Sequence, residues 1–239
     1  MPNRPSPFDP YMPQFGCLCV VLALCGLCLL PFVVLDVMQQ ALRNLHLPGP
    51  IASLTVFGII VGSLINLPLY RVNRSLAQPV MRGYMVPGLG WVPLPRNEHQ
   101  TIVAVNVGGC VIPVALAIFE AGIVAADNRA RWALILAVLV NIAVCFWIAR
   151  PIRGVGIAIP AFVPPLVAIG MAWLMLGSDG SSELRAPVAF VAGVAGPLIG
   201  ADLMNLRQFE RLSTGLVSIG GAGTFDGIVI SGLAAAFFA

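Results

Sequence analysis

The sequence predicts an all-α fold, a polytopic transmembrane helix bundle of about seven spans. Hydrophobic residues make up 59% of the chain and charged residues only 10%, and the mean hydropathy is +0.94. A soluble domain carries about 25% charged residues, so this composition leaves too little polar surface to face water. All 13 basic residues are arginines, and they lie almost wholly between the apolar runs. These observations favour a lipid bilayer as the partner and argue against nucleic acid.

The chain begins with a proline-rich segment. Residues 1–14 contain five prolines and no apolar run, which is typical of a disordered tail, and we expect 15–239 to form a single transmembrane helical domain. Residues 15–37 are predicted to be the first span, because about 20 apolar residues cross a bilayer core. Span two, 51–70, contains Asn66 and Pro68 in an otherwise aliphatic stretch.

Span three, 101–125, concentrates polar and helix-breaking residues in its first half. Asn106, Gly108, Gly109 and Pro113 fall within eight residues. This composition indicates either a broken helix that exposes backbone groups to a cavity or a glycine-lined packing face with a proline kink. Both interpretations stay open at the level of sequence.

Span three ends with an acidic residue, and the two spans that follow it differ in regularity. Glu120, near the end of span three, is expected to reach the interface or to pair with Arg129 or Arg131. Span four, 132–148, has Asn141 as its one polar residue. Span five, 154–176, contains three prolines, which predict a sharp bend or a partly re-entrant segment.

The distribution of arginine predicts the orientation. Nine of the 13 arginines lie in the N-terminal tail and in the loops after spans two, four and six. Positive charge accumulates on the cytoplasmic side, so the N-terminus is predicted to be cytoplasmic and Ala239 to lie outside. The expected location is the cell inner (plasma) membrane, as a multi-pass protein.

The cysteines do not indicate a metal site or a cofactor. Four of the six, including Cys25 and Cys28, lie in the first apolar run, where cysteine behaves as a small apolar residue. The C-x-x-C spacing lacks the histidines or second cysteine pair of a zinc site.

Spans six (186–206) and seven (from about residue 214) each contain one aspartate. A charged side chain near the bilayer centre costs about 2.5–3.5 kcal/mol, so Asp202 and Asp226 are candidate functional residues. On a straight seventh helix the two would differ in depth by about 12 Å. The G-G-A-G sequence before Thr224 can unwind and let the helix restart there, which would bring the aspartates together.

Three motifs carry a resemblance to known families: N-V-G-G at 106–109, G-A-D at 200–202 and G-G-A-G-T-F-D-G-I at 220–228. Together they resemble a prokaryotic family of polytopic membrane proteins known only as a domain of unknown function. G-A-D-L and F-D are more distantly similar to the G-x-G-D and aromatic-Asp motifs of presenilin and prepilin-peptidase diaspartyl intramembrane proteases. The second glycine of G-x-G-D is absent here, and the order of the motifs is reversed relative to presenilin.

This likeness implies a diaspartyl hydrolase in which Asp202 and Asp226 exchange acid and base roles on a membrane-embedded peptide. The alternative is an ion-coupled transporter or permease for a small solute. A structural role, in which each aspartate pairs with an arginine or a backbone amide, also stays open. Candidate substrate-binding residues are the polar and small residues of the interrupted spans: Asn66, Asn106, Gly108, Gly109, Asn205, Gly221, Gly223 and Thr224.

Overall fold

The computed structural model describes residues 13–73, 83–86, 90–93, 100–152, 156–177, 182–206, 215–221 and 227–239. Within these ranges the chain forms seven α-helices: α1 (Pro13–Asn44), α2 (Gly49–Gly62), α3 (Ile112–Val124), α4 (Asn128–Ile148), α5 (Val163–Leu176), α6 (Arg185–Ala195) and α7 (Gly227–Phe238). A π-helical turn, Val107–Val111, precedes α3, and a π-helical segment, Gly196–Leu203, follows α6. The predicted helix bundle is confirmed.

Within the described ranges, four helical stretches are long and apolar enough to cross a membrane: Cys19–Asn44, Val107–Val124, Asn128–Ile148 and Ser182–Leu203. Three shorter apolar helices accompany them, at Gly49–Gly62, Val163–Leu176 and Gly227–Phe238. Many large apolar side chains also point outward. An integral membrane protein has this distribution, because lipid takes the place of water around its surface.

Among the described residues seven strands interrupt the helices, and the all-α prediction did not include them. They are β1 (Asn66–Asn73), β2 (Gly83–Val86), β3 (Gly90–Pro93), β4 (Gln100–Asn106), β5 (Arg150–Ile152), β6 (Gly156–Ala158) and β7 (Gly215–Ile219). Predicted spans two, three and seven therefore each join a helix to a strand. Hydropathy alone does not separate a short buried strand from a helix, whereas the valine and isoleucine of β4 and β7 favour strands.

The largest sheet has the order β1-β4-β7. Strands β1 and β4 are antiparallel, with Asn66 opposite Asn106, and β4 and β7 are parallel, with Val105 opposite Ile219. Pro68 lies at a register shift in β1, an edge strand, where its missing N–H is tolerated. The parallel strands β4 and β7 both lead into helices, α3 and α7, so these two helices start from the same edge of the sheet.

Two of the three prolines of predicted span five lie at the start of a helix rather than bending one. Pro164 and Pro165 lie in the first turn of α5, which starts at Val163. The amide that proline lacks has no partner in the first turn of a helix anyway, so proline is well tolerated there. The preceding residues form the short β5–β6 hairpin.

Helix α6 is the centre of the bundle, and its residues 186–194 are all buried. Asn141 of α4 lies against Ala192 and Gly196, and Cys145 lies against Gly200. Because later residues of α4 contact later residues of α6 and its continuation, α4 and α6 run in the same direction. Helix α3 turns back into α4 within three residues. Because α7 runs with α3, α7 is antiparallel to α6.

Small residues allow α6 and α7 to approach closely. A Cβ atom added at Gly193 would lie 2.8 Å from the Ser231 carbonyl oxygen and 3.2 Å from the Gly232 Cα. Such small-residue contacts are the usual basis of helix association in lipid. The contact also fixes the register, with Gly193 level with Gly232.

Candidate functional site

The candidate site is the junction where β4 and β7 end and their helices begin. Asn106 is the last residue of β4, and its side chain is 1% exposed. Its Oδ1 accepts a hydrogen bond from the Gly109 amide (2.7 Å), which caps the π-helical turn. Its Nδ2 donates to the Ser63 carbonyl (2.7 Å) and to Asn66 Oδ1 (3.1 Å). The buried Asn106 side chain thus makes three hydrogen bonds, which join the end of α2, strand β1 and the turn before α3.

The hydrogen-bond chain continues to the third strand. Ser218 Oγ of β7 donates to Asn66 Oδ1 at 2.6 Å, so this one oxygen accepts from both Ser218 and Asn106. The side chain of Asn66 is exposed, whereas that of Asn106 is not. The chain of amides and hydroxyl therefore runs from the core to the surface. Ser218 was missed in the sequence because a serine in the run L-V-S-I gives no signal of its partner.

Glycines at the junction lie where two backbones touch. A Cβ added at Gly108 would overlap the Ile59 carbonyl oxygen and lie 2.8 Å from the Gly62 carbonyl carbon. A Cβ added at Gly109 would overlap the Gly220 carbonyl oxygen and lie 2.9 Å from the carbonyl carbon. Of the two sequence interpretations of N-V-G-G, the close contact favours a packing face.

The G-G-A-G motif starts with the same kind of contact. Gly220 has φ +71°, a backbone conformation that side-chain-bearing residues rarely adopt. A Cβ at Gly221 would overlap Ser218 Oγ and lie 3.1 Å from Asn66 Oδ1. Five of the predicted site residues thus lie together at this junction: Asn66, Asn106, Gly108, Gly109 and Gly221.

Asp202 lies in the π-helical segment and is half-buried. The segment packs closely on α4, since a Cβ at Gly200 would overlap the Ile142 carbonyl oxygen. Leu198 and Leu206 on either side of Asp202 pack against the apolar cluster formed by Val103, Cys110 and Ile219. The segment that carries Asp202 is therefore a direct neighbour of the strand–helix junction.

Asn205, another predicted substrate-binding residue, bonds to the segment that carries Asp202. Its side chain is 5% exposed, and its Nδ2 donates to the carbonyls of Gly200 (3.2 Å) and Ala201 (3.0 Å). These carbonyls belong to the π-helical segment itself. Asn205 thus bonds to the end of its own helix, where carbonyl groups lack intrahelical partners.

Asp226, Gly223 and Thr224 lie outside the described residues. The neighbouring elements nevertheless exclude a regular helix from residue 214, because β7 occupies Gly215–Ile219 and α7 begins at Gly227. Gly193 of α6 lies level with Gly232 of α7, and the two helices are antiparallel. Five residues later on α6 and five residues earlier on α7, Leu198 therefore lies level with Gly227. Hence α7 begins at the level of the segment that holds Asp202.

Comparison with known proteins gives one match. The model of a family described as a protein of unknown function, DUF1614, matches residues 60–238, about three quarters of the chain. No curated protein and no solved structure matches the sequence. The matched range contains the whole β1-β4-β7 sheet and the helices from α3 to α7.

Proposed function

Because the chain belongs to this family of unknown function, DUF1614, we propose its activity from geometry: Asp202 and Asp226 form one acid pair that hydrolyses a peptide bond within the membrane. The observation that carries the proposal is the start of α7 at Gly227, the residue after Asp226, at the level of Leu198. Asp202 is four residues beyond Leu198, or about 6 Å along a helix axis. This start of α7 supports a shared site, because a straight seventh helix would instead separate the two aspartates in depth by about 12 Å.

The chemistry requires two carboxyl groups close enough to share a proton. Two carboxylates in one poorly hydrated site do not both ionise, so one keeps a proton and the other acts as a base. The base takes a proton from water as the water oxygen attacks the peptide carbonyl carbon, and the acid donates its proton to the leaving amine. The substrate class is a membrane-embedded peptide.

Cysteine cross-linking tests the shared site independently of any substrate. In a chain whose six native cysteines are replaced, Asp202→Cys and Asp226→Cys should form a disulfide under mild oxidation, because a disulfide requires Cα atoms within about 7 Å. The matched control pair is Glu183→Cys with Asp226→Cys. Glu183 lies just before the start of α6, whereas Asp202 lies beyond the end of that helix. Absence of the first cross-link, or equal yield from both pairs, contradicts a shared site.

Heavy-oxygen water tests the reaction. Membranes that contain the wild-type chain should generate new peptide C-termini carrying one solvent oxygen, as detected by mass spectrometry. Asp202→Asn and Asp226→Asn should each abolish these products, whereas Glu183→Gln should leave them unchanged. Undiminished products in either aspartate variant would refute the hydrolase mechanism while leaving the cross-link as a separate result.

An ion-coupled transporter is the second candidate. The observation that favours it is the pair of neighbouring discontinuous segments, β4 into α3 and β7 into α7, since transporters bind substrate where spanning helices are interrupted. Under this alternative the exposed Asn66 and the half-buried Ser218 would contact the solute. Solute uptake into proteoliposomes that depends on an ion gradient and is lost in Asn66→Ala, with no heavy-oxygen peptides formed, would favour the transporter.

A further inference from the structure

Glu120 is a fully buried acid in α3, on the other half of the bundle from Asp202. Its side chain is 0% exposed, and neither carboxyl oxygen has a hydrogen-bond partner among the described residues. The sequence predicts that Glu120 reaches the interface or pairs with Arg129 or Arg131, and the structure contradicts that prediction. The reason is that this face of α3 packs against α6 instead of facing lipid headgroups.

The arginines of α4 do not neutralise Glu120. Helices α2, α4, α6 and α7 pack against α3, and of these α2 and α7 contain no charged residue. On α4, Arg129 donates to the Met175 carbonyl, and Arg131 donates to the Asn128 side chain. Both guanidinium groups are thus engaged at the start of α4.

The single charged residue of α6, Arg185, is engaged as well. Its Nε donates to the Ser182 carbonyl at 3.1 Å, and its guanidinium carbon lies 3.9 Å from the centre of the Trp173 ring. In the part of the chain that the structure describes, neither its Nη1 nor the oxygens of Glu120 have a hydrogen-bond partner, so the two groups do not bond to each other. No described cation compensates a charge on Glu120.

An isolated carboxylate in apolar surroundings is strongly destabilised by the loss of its hydration, and such a group takes up a proton instead. A neutral carboxyl group costs far less, comparable to other buried polar groups. Ionisable residues inside spans that lack a structural partner are characteristic of proton and ion pathways. The environment of Glu120 therefore fits one ligand, a proton.

We propose that Glu120 is a proton-binding site within the bundle, separate from the aspartate pair. It lies four residues before Val124, or about 6 Å from the end of α3, and the following residues Ala125 and Ala126 are exposed. The proton enters and leaves at this end of the bundle. Asp202 lies at the opposite end, because α6 begins beside the α3–α4 turn and runs away from it.

A hydrophobic carbodiimide tests the site directly, since it reacts with protonated carboxyl groups shielded from water. The full-length chain in liposomes at neutral pH should acquire an adduct on Glu120, identified by peptide mass spectrometry. Glu120→Gln should remove this adduct, and Glu183→Gln should retain it. Infrared spectroscopy should show a protonated-carboxyl band in the wild-type chain that Glu120→Gln removes.

The wild-type measurements stand even if Glu120→Gln folds poorly. An unmodified Glu120 together with no protonated-carboxyl band would overturn the proposal. Protection of Glu120 from the reagent by sodium would also overturn it, in favour of a metal-cation site. Labelling of Glu120 that persists in Asp202→Asn would support its independence from the aspartate pair.

Discussion

Replacing Gly109 with alanine should destabilise the protein strongly. The added Cβ would overlap the Gly220 carbonyl oxygen and lie 2.9 Å from the carbonyl carbon. Both obstacles are backbone atoms, held by the β4–β7 pairing and by the Asn106 cap on the Gly109 amide. Neither can rotate away as a flexible side chain could.

Overpacking costs about 1–3 kcal/mol in general, and the fixed backbone places Gly109→Ala at or above the upper limit. For a chain of this length each kcal/mol lowers the Tm by about 2–4 °C, so we expect a loss of about 6–12 °C. Thermal unfolding of the purified protein in mild detergent, followed by tryptophan fluorescence, measures this loss.

Gly122→Ala is the matched control because Gly122 lies on the exposed face of α3. A Cβ there meets nothing within 4 Å, and removing a helical glycine favours folding by about 0.5–1 kcal/mol. The control should therefore match or exceed the wild-type Tm. Equal Tm values for Gly109→Ala and Gly122→Ala would refute the close-contact interpretation of N-V-G-G.

Three further predictions follow from the hydrogen bonds and the arginine distribution. Asn106→Asp keeps the oxygen that caps Gly109 but loses both Nδ2 bonds, so the Tm should fall by the equivalent of about 2 kcal/mol or more; an unchanged Tm would contradict the role of the amide. Asn141→Ala loses a 2.8 Å hydrogen bond to the Ala192 carbonyl and should lower the free energy of unfolding by only about 1 kcal/mol. The wild type is the control, because Ala143→Gly would add a helical glycine. Reporter fusions at Ala239 should report the outer side of the inner membrane, and a cytoplasmic signal would contradict the predicted topology.

The helical part of the fold could be predicted because lipid imposes a length and a composition on each span. The strands could not be predicted in the same way, since Asn66 and Asn106 are 40 positions apart and their pairing depends on register. The apolar runs that contain β1, β4 and β7 satisfy a hydropathy criterion as well as a helix does. Backbone pairing between distant segments leaves no local pattern in one sequence.

The candidate site was predictable only where a residue was chemically unusual in its run. Asn66, Asn106 and Gly221 stand out among aliphatic neighbours and do lie together, whereas Ser218 does not stand out. Glu120 stood out as well, but its expected partners bond elsewhere. Which face of a helix packs inward is decided by tertiary structure, and the sequence of α3 has apolar residues on every side.

The parallel pairing of β4 with β7 has a consequence for biogenesis. Thr101 and Gly215 are partners although they are 114 positions apart, and α3 to α6 lie between them. During synthesis β4 emerges long before β7, so its edge must wait unpaired while these intervening helices enter the membrane. An unpaired strand edge is a template for aggregation. Chains that end before residue 215 are therefore expected to be degraded or aggregated, with helices α1 to α6 already inserted.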